Sequence, residues 1–208
     1  MNQNEFVIGL DVDGVLRNWV QTILQQVNTM YDTRIFNKDI TSYDPVPFLQ
    51  SQIPGFNDEV LKGIHKRCAE TGKLAEATAY KDGLTLFHSI FEAGFPIRLL
   101  TSQPVWARDA FYKWLHNNRL ADKVSGIDFL YPEAKANADV QLLIDDNPKV
   151  IEAAAKKLKP SILWLRNWNR SWQYPEKDIP EDLINYTVLP RKALKFIEYW
   201  EEKISDGI

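Results

Sequence analysis

The chain has a single cysteine, Cys68, among 208 residues. A lone thiol excludes an internal disulfide framework and leaves no second cysteine for a thiolate metal cluster. Nothing around it marks a nucleophile, and it reads as a reduced thiol. Long apolar runs are also missing: none approaches the ~20 residues needed to cross a bilayer. The opening MNQNEFVIGL lacks the charged stretch and small-residue cleavage site of a secretory signal. Cytoplasm is therefore the default expectation. Positive charge is scarce, with 25 Lys and Arg against 28 Asp and Glu and a net charge of −3. No global basic field advertises nucleic acid or an anionic membrane. The three histidines, His65, His88 and His116, show no metal-ligand spacing with one another and read as surface or helix residues. There is no internal repeat and no low-complexity tract. What is present is an ordinary globular composition, 45% hydrophobic and 25% charged, in a chain long enough for one substantial core with room for a small second domain.

The most informative segment is FVIGLDVDGVL at 6–16. Phe6, Val7, Ile8 and Leu10 read as a short buried strand that ends abruptly in Asp11-Val12-Asp13-Gly14. Successive side chains of an extended chain point to opposite faces, so Asp11 and Asp13 share a face. Two carboxylates that close repel unless a cation or a shared proton lies between them. The pair therefore suggests a divalent metal and a reactive carboxylate, whereas a plain polar turn would need only one Asp.

Five short apolar runs read as strands: 6–11, 97–101, 127–131, 141–145 and 161–166. Helical periodicity fills the intervals, with an apolar stripe over 15–31, others over 84–91, 110–115 and 191–204, and Gly94 as a helix stop. Asn147-Pro148 reads as an N-cap and first helical residue. Strands alternating with helices predict an α/β fold, a Rossmann-like parallel sheet of about five strands with helices on both faces. Residues 17–80 are far more than one crossover requires. Their middle, SYDPVPFLQSQIPGFN, is loop-like, and 58–71 is helix-like. No flexible Gly/Ser tract bounds the interval. The expectation is a small, mostly helical cap over 17–80 above a core made of 1–16 and 81–208.

In an open parallel sheet, ligands bind outside the carboxyl ends of the strands. Polar residues cluster there: Asp11 and Asp13 after strand one, Thr101, Ser102 and Gln103 after strand two, and Asp145 and Asp146 after strand four, with Lys135 in the PEAKAN stretch between. Each alone has a bland reading as turn, cap or solvated surface. In this order, DVDGV, LLTSQ, Lys135 and LLIDDN resemble the four motifs of the haloacid dehalogenase (HAD) superfamily phosphatases, over about two thirds of the chain. A closer resemblance is to the 5′(3′)-deoxyribonucleotidases, carried by the DxDGVL start, the helical insertion, the LIDD run and Trp168-Asn169-Arg170 after the fifth strand. Arg17-Asn18-Trp19 stands where that family often has Ala-Asp-Phe.

The resemblance implies a Mg²⁺-dependent phosphomonoesterase acting on a small phosphorylated metabolite, with a (deoxy)nucleoside monophosphate as the leading expectation. Asp11 would be the nucleophile that forms an aspartyl-phosphate, and Asp13 the acid and base. Thr101 and Lys135 would hold the phosphate. Mg²⁺ would sit on Asp11, Asp145 and the Asp13 carbonyl, with Asp146 nearby. Ser102, Gln103, Trp19, Trp168, Asn169 and Arg170 are the substrate-facing candidates, and the loop 167–190, with Trp172 and Tyr174, is a candidate substrate wall. Phe36, Tyr43, Phe48 and Phe56 either stack a base or pack the cap. Two alternatives stay open. One is a 3′-phosphatase on nucleic-acid ends, for which Arg17, Arg34, Lys38, Lys66 and Arg67 would supply a basic patch. The other is a non-catalytic phosphate-binding scaffold. The oligomeric state is left open, a homodimer included.

Overall fold

A computed structural model describes residues 6–172, 180 and 182–206. Strands β1 (Ile8–Asp11), β2 (Ile97–Thr101), β3 (Gly126–Phe129), β4 (Leu142–Asp145), β5 (Ser161–Trp164) and β6 (Ile184–Thr187) form one sheet in the order β3-β2-β1-β4-β5-β6. Every pairing is parallel. Near-continuous apolar runs suit such strands because both faces are covered. Leu99, Ile144 and Ile162 face helices α4 (Lys81–Glu92), α5 (Arg108–Asn117) and α8 (Pro190–Ser205). Their neighbours Leu100 and Leu143 pack on the other side with Val150 and Ala154 of α7 (Pro148–Ala155), whose Ile151 and Ala155 meet Leu163. A doubly wound sheet of this order has its crevice where the strand order reverses, beside β1.

The expected α/β class and parallel sheet are present, with six strands rather than about five. The sixth, β6, lies within what reads in sequence as a long loop. It is a four-residue edge strand, Ile184-Asn185-Tyr186-Thr187, in which the only aliphatic residue is the first, Ile184, so it carries little apolar signal. Helix α1 (Trp19–Tyr31) starts later than the stripe over 15–31 suggests. Val15 and Leu16 are buried, but they belong to a tight turn in which Leu16 and Arg17 N–H groups both donate to the Val12 carbonyl, each at 2.8 Å. Helix α2 (Val46–Gln52) occupies the stretch read as loop. Pro47 lies in its first turn, where a missing N–H costs nothing, and Asp44 accepts from the Val46 N–H.

Between β1 and β2, α1, α2 and α3 (Asp58–Glu70) share an apolar cluster of their own. Ile23, Val27, Leu49, Phe56, Ile64, Cys68 and Leu74 fill it, joined by Ala107, Ala110 and Trp168 from the sheet side. The chain leaves and re-enters the core through adjacent extended segments, Asn18 N–H donating to Thr78 O at 2.9 Å and Tyr80 N–H to Leu16 O at 2.8 Å. Asn18 then caps α1, and its Oδ1 accepts from Gln21 N–H, Asn37 Nδ2 and Tyr80 OH, so one side chain ties the helix start to both flanks. Among the described residues no helix is long and apolar enough to cross a membrane.

Candidate active site

The carboxyl ends of β1 and β4 put Asp11 and Asp145 side by side, and short helix α6 (Pro132–Lys135) delivers Lys135 between them. The Lys135 ammonium donates to Asp11 Oδ1 at 2.5 Å and to Asp145 Oδ2 at 2.9 Å. All three groups are buried. Asp146 completes the cluster: ligand oxygens of Asp11, Asp145 and Asp146 all lie within 4.8 Å of one another. Three buried carboxylates thus face one ammonium. Burial, followed by the Asp11 and Asp145 charges that overcome it, leaves the Lys135 amine above its ordinary value and charged. Burial raises Asp11 well above the usual carboxylate range, against Lys135 and with Asp145, Asp146 and Asp13 adding to it. Asp146 is pushed up to about 7 by burial and the neighbouring Asp145. An oxygen-rich cluster with surplus negative charge fits a hard divalent cation, and Asp11, Asp145 and Asp146 are the residues that could hold it.

Asp13 is turned elsewhere. Its carboxylate takes a two-pronged bond from Arg17, at 2.7 and 3.0 Å, and a further one from Gln103 Nε2 at 2.5 Å. Arg17 is fully buried, with its guanidinium over the rings of Trp114 and Phe111. It is therefore out of reach of a nucleic-acid backbone, and the cap patch imagined for an end-processing enzyme loses that member. Thr101, fully buried at the end of β2, accepts from the Gln103 N–H at 3.3 Å, whereas Ser102 is exposed to the cavity mouth.

The turn after β1 is held from behind by Arg166. Its guanidinium donates to the carbonyls of Gly14 and Val15 and to Asp82, and lies 3.7 Å from the Tyr80 ring centre. Gly14 has φ +94, and any Cβ there would run into the Asp146 carboxylate. The turn can pass that close to the acid only as glycine. In sequence Arg166 is one arginine among many at a strand end, with no motif to single it out.

A cavity of about 160 Å³ opens over these groups. Asp11, Asp13, Ser102, Gln103 and Lys135 line it from the sheet side, and Trp19, Tyr43 and His65, from the segment between β1 and β2, face them. Burial, then Asp146, Asp145 and Asp11, raises the Tyr43 phenol, so it stays protonated over the acids. Tyr43 also borders a second cleft of about 380 Å³, reached past Pro132, Asn147, Lys149 and Val150.

Several expectations need correcting. His65, read as a surface or helix residue, is on helix α3 and in addition lines this cavity. Trp168 is 9% exposed; its indole N–H donates to Asp146 Oδ2 at 2.8 Å while its rings pack in the cap cluster, so it presents no face to a base. Asn169 is likewise committed, donating to the carbonyls of Asp146 and Trp164. Arg170 is exposed on the following turn and does not line the cavity. Trp172 packs beside Ile184 and Leu183, and Tyr174 lies outside the described residues. Of the aromatics between β1 and β2, Trp19 and Tyr43 reach the cavity, Phe48 and Phe56 pack in the cluster shared by α1, α2 and α3, and Phe36 is exposed beside another cleft.

No protein-family model and no curated protein sequence matches this chain. Solved structures do match in fold. A haloacid dehalogenase-like hydrolase, SP0104 from Streptococcus pneumoniae, superposes with a TM-score of 0.61 at 15% identity, over 93% of this chain and 98% of that one. YfnB from Bacillus subtilis, assigned as a HAD hydrolase and solved with magnesium bound, gives 0.61 at 14% identity over 94% and 99%. A predicted phosphatase from Clostridium acetobutylicum gives 0.60 at 19% identity over 92% and 99%. The chain has the fold of the HAD-like hydrolases.

Proposed function

We propose that this protein is a Mg²⁺-dependent phosphomonoesterase working through an aspartyl-phosphate on Asp11, with 17–80 as its cap. The observation that carries the reading is the buried cluster in which Lys135 bridges Asp11 and Asp145 beside Asp146, beneath a small cavity. Asp11 forms a P–O bond as the ester P–O bond breaks, Asp13 gives the departing alkoxide its proton, and Asp13 then takes one from the water that hydrolyses the acyl phosphate. Mg²⁺ on Asp11, Asp145 and Asp146 would offset the repulsion between a carboxylate nucleophile and a phosphate dianion. Lys135 adds positive charge on the same side. Arg17 and Gln103 fix the direction of the Asp13 carboxylate.

The size of the cavity supports a small substrate. A cavity of about 150 Å³ holds a benzene ring, so about 160 Å³ admits a phosphoryl group with only a few further atoms. A small phosphomonoester is the first reading. A nucleoside monophosphate is the second, favoured by the cleft of about 380 Å³ beyond Tyr43, into which a nucleoside could extend. The test is hydrolysis of p-nitrophenyl phosphate with and without EDTA, in the natural protein and Asp11→Asn. Turnover is expected only with Mg²⁺ and only with Asp11. Activity persisting in EDTA refutes the metal, and comparable turnover by Asp11→Asn refutes the nucleophile. A panel of small phosphoesters and 5′- and 3′-mononucleotides separates the two substrate readings.

A further inference from the structure

An ionised carboxylate offers about four lone-pair sites, and on Asp13 three of them are taken. Arg17 fills one on each oxygen, Nε on Oδ1 at 2.7 Å and Nη2 on Oδ2 at 3.0 Å, and Gln103 Nε2 fills the second on Oδ2 at 2.5 Å. The site left over is on Oδ1, so Oδ1 is the atom through which Asp13 can exchange a proton with a leaving oxygen. The Arg17 fork is fixed by full burial against Trp114 and Phe111. The Gln103 amide is not fixed by its own shape, because its two ends are nearly alike. Turned round, it would set a carbonyl oxygen against the Asp13 carboxylate, acceptor against acceptor.

The group that can hold the amide the right way round comes from helix α3. Nε2 of His65 and Oε1 of Gln103 are both buried in the cavity wall, and the two side chains lie within hydrogen-bond reach of one another. Among the described residues neither atom has another partner. Gln103 Nε2 is spent on Asp13, so Oε1 is the end that accepts and His65 the one that donates. Burial keeps the imidazole from taking up a second proton, against the pull of Asp13. The ring therefore has one N–H to give, and the bond it makes decides which nitrogen carries it. It is wedged between Trp106, at 5.0 Å edge-on, and Trp19, at 5.8 Å. Ile64 and Cys68, buried in the cluster shared with α1, pin the helix that carries it. We propose that His65 is a positioning residue for proton transfer: it holds the Gln103 amide in the one orientation that donates to Asp13, and so keeps Oδ1 aimed at the leaving oxygen. The role rests on the phosphatase reading above, and makes its acid step depend on how the segment between β1 and β2 sits on the sheet.

The experiment measures kcat for p-nitrophenyl phosphate and n-propyl phosphate and follows their ratio. A leaving group that needs no proton is indifferent to where Asp13 points, whereas an alkoxide is not. In His65→Phe, which keeps a ring between the two tryptophans but has no donor, the ratio should rise by ~10-fold, within the ~10²-fold that a misplacement of about 1 Å can cost. His65→Gln, which restores an N–H on a side chain of similar reach, should stay within about threefold of the natural protein. Gln103→Leu should raise the ratio as His65→Phe does. Adding His65→Phe to it should then change the ratio by less than about twofold, because His65 has lost the group it acts through. A ratio unchanged in His65→Phe, with both esters slowed together, makes the ring packing alone and overturns the proposal. An equal rise in His65→Phe and His65→Gln overturns the donor, and losses that add in the double variant overturn the route through Gln103. All three leave the phosphatase reading standing. If the natural protein hydrolyses neither ester, that reading falls and the positioning role with it. Should His65→Phe fail to fold, His65→Asn, whose shorter side chain withdraws the donor, replaces it.

Discussion

Asp146 makes the metal site testable without any substrate. With its pKa pushed up to about 7 from an ordinary 3.8, the metal-free native state holds a proton that the unfolded chain releases across that window. Stability in EDTA should therefore fall as pH rises from about 4 to 7, because the native state binds more protons than the unfolded one. Mg²⁺ should reverse this, since cation and proton compete for the same carboxylates. At pH 7.5 about three quarters of Asp146 is ionised, and at pH 5.5 only about 3%, which weakens apparent Mg²⁺ affinity by ~25-fold, or ~2 kcal/mol. If Mg²⁺ is supplied at about a hundred times its dissociation constant at pH 7.5, it stabilises by ~2.7 kcal/mol. For a chain of this size that is ~5–11 °C in Tm, falling by ~4–7 °C at pH 5.5. Calorimetry in EDTA and in fixed Mg²⁺ at the two pH values gives all four numbers. An increment equal at both pH values, or larger at pH 5.5, refutes the assignment of Asp146 to the cation site. Asp146→Asn should remove the Asp146 share of the pH dependence and leave the share carried by Asp11, which burial also raises.

Three further outcomes follow from single contacts. Asp13→Asn should lower kcat for alkyl phosphates by ~10²–10⁴-fold and matter least for aryl phosphates with good leaving groups; equal losses across a leaving-group series would remove Asp13 from the proton-transfer role. Trp168→Phe keeps the packing but deletes the N–H bond to Asp146, so the Mg²⁺ concentration for half-maximal activation should rise ~10–100-fold, whereas an unchanged midpoint would make the indole purely structural. Gly14→Ala combines a positive φ with a Cβ in the Asp146 carboxylate, and should lower Tm by several degrees, or ~2 kcal/mol or more, with a parallel loss of turnover.

The parts of the site that can be read in sequence are those that local geometry places. Asp11 and Asp13 are two apart in an extended segment, and Asp145-Asp146 closes another strand, so their shared rim follows from strand polarity alone. Lys135 is a weaker case, visible only because the strand-end acids around it need a cation. His65, Arg166 and the Arg17 guanidinium carry no such mark. Each acts across a fold contact: His65 reaches Gln103 from a cap helix, and Arg166 clamps Gly14 at a separation of 152 residues. Periodicity registers only that α3 has an apolar face with Ile64 and Cys68, and a histidine beside it looks like any other. Trp168 shows the opposite error. Its neighbourhood at the carboxyl rim of the sheet is legible, but its role is not, because an indole has one apolar body and one donor, and sequence cannot say which end faces the acids. Here the donor does, and that redirects the search for specificity from the loop after β5 to the cap wall formed by Trp19, Tyr43 and His65.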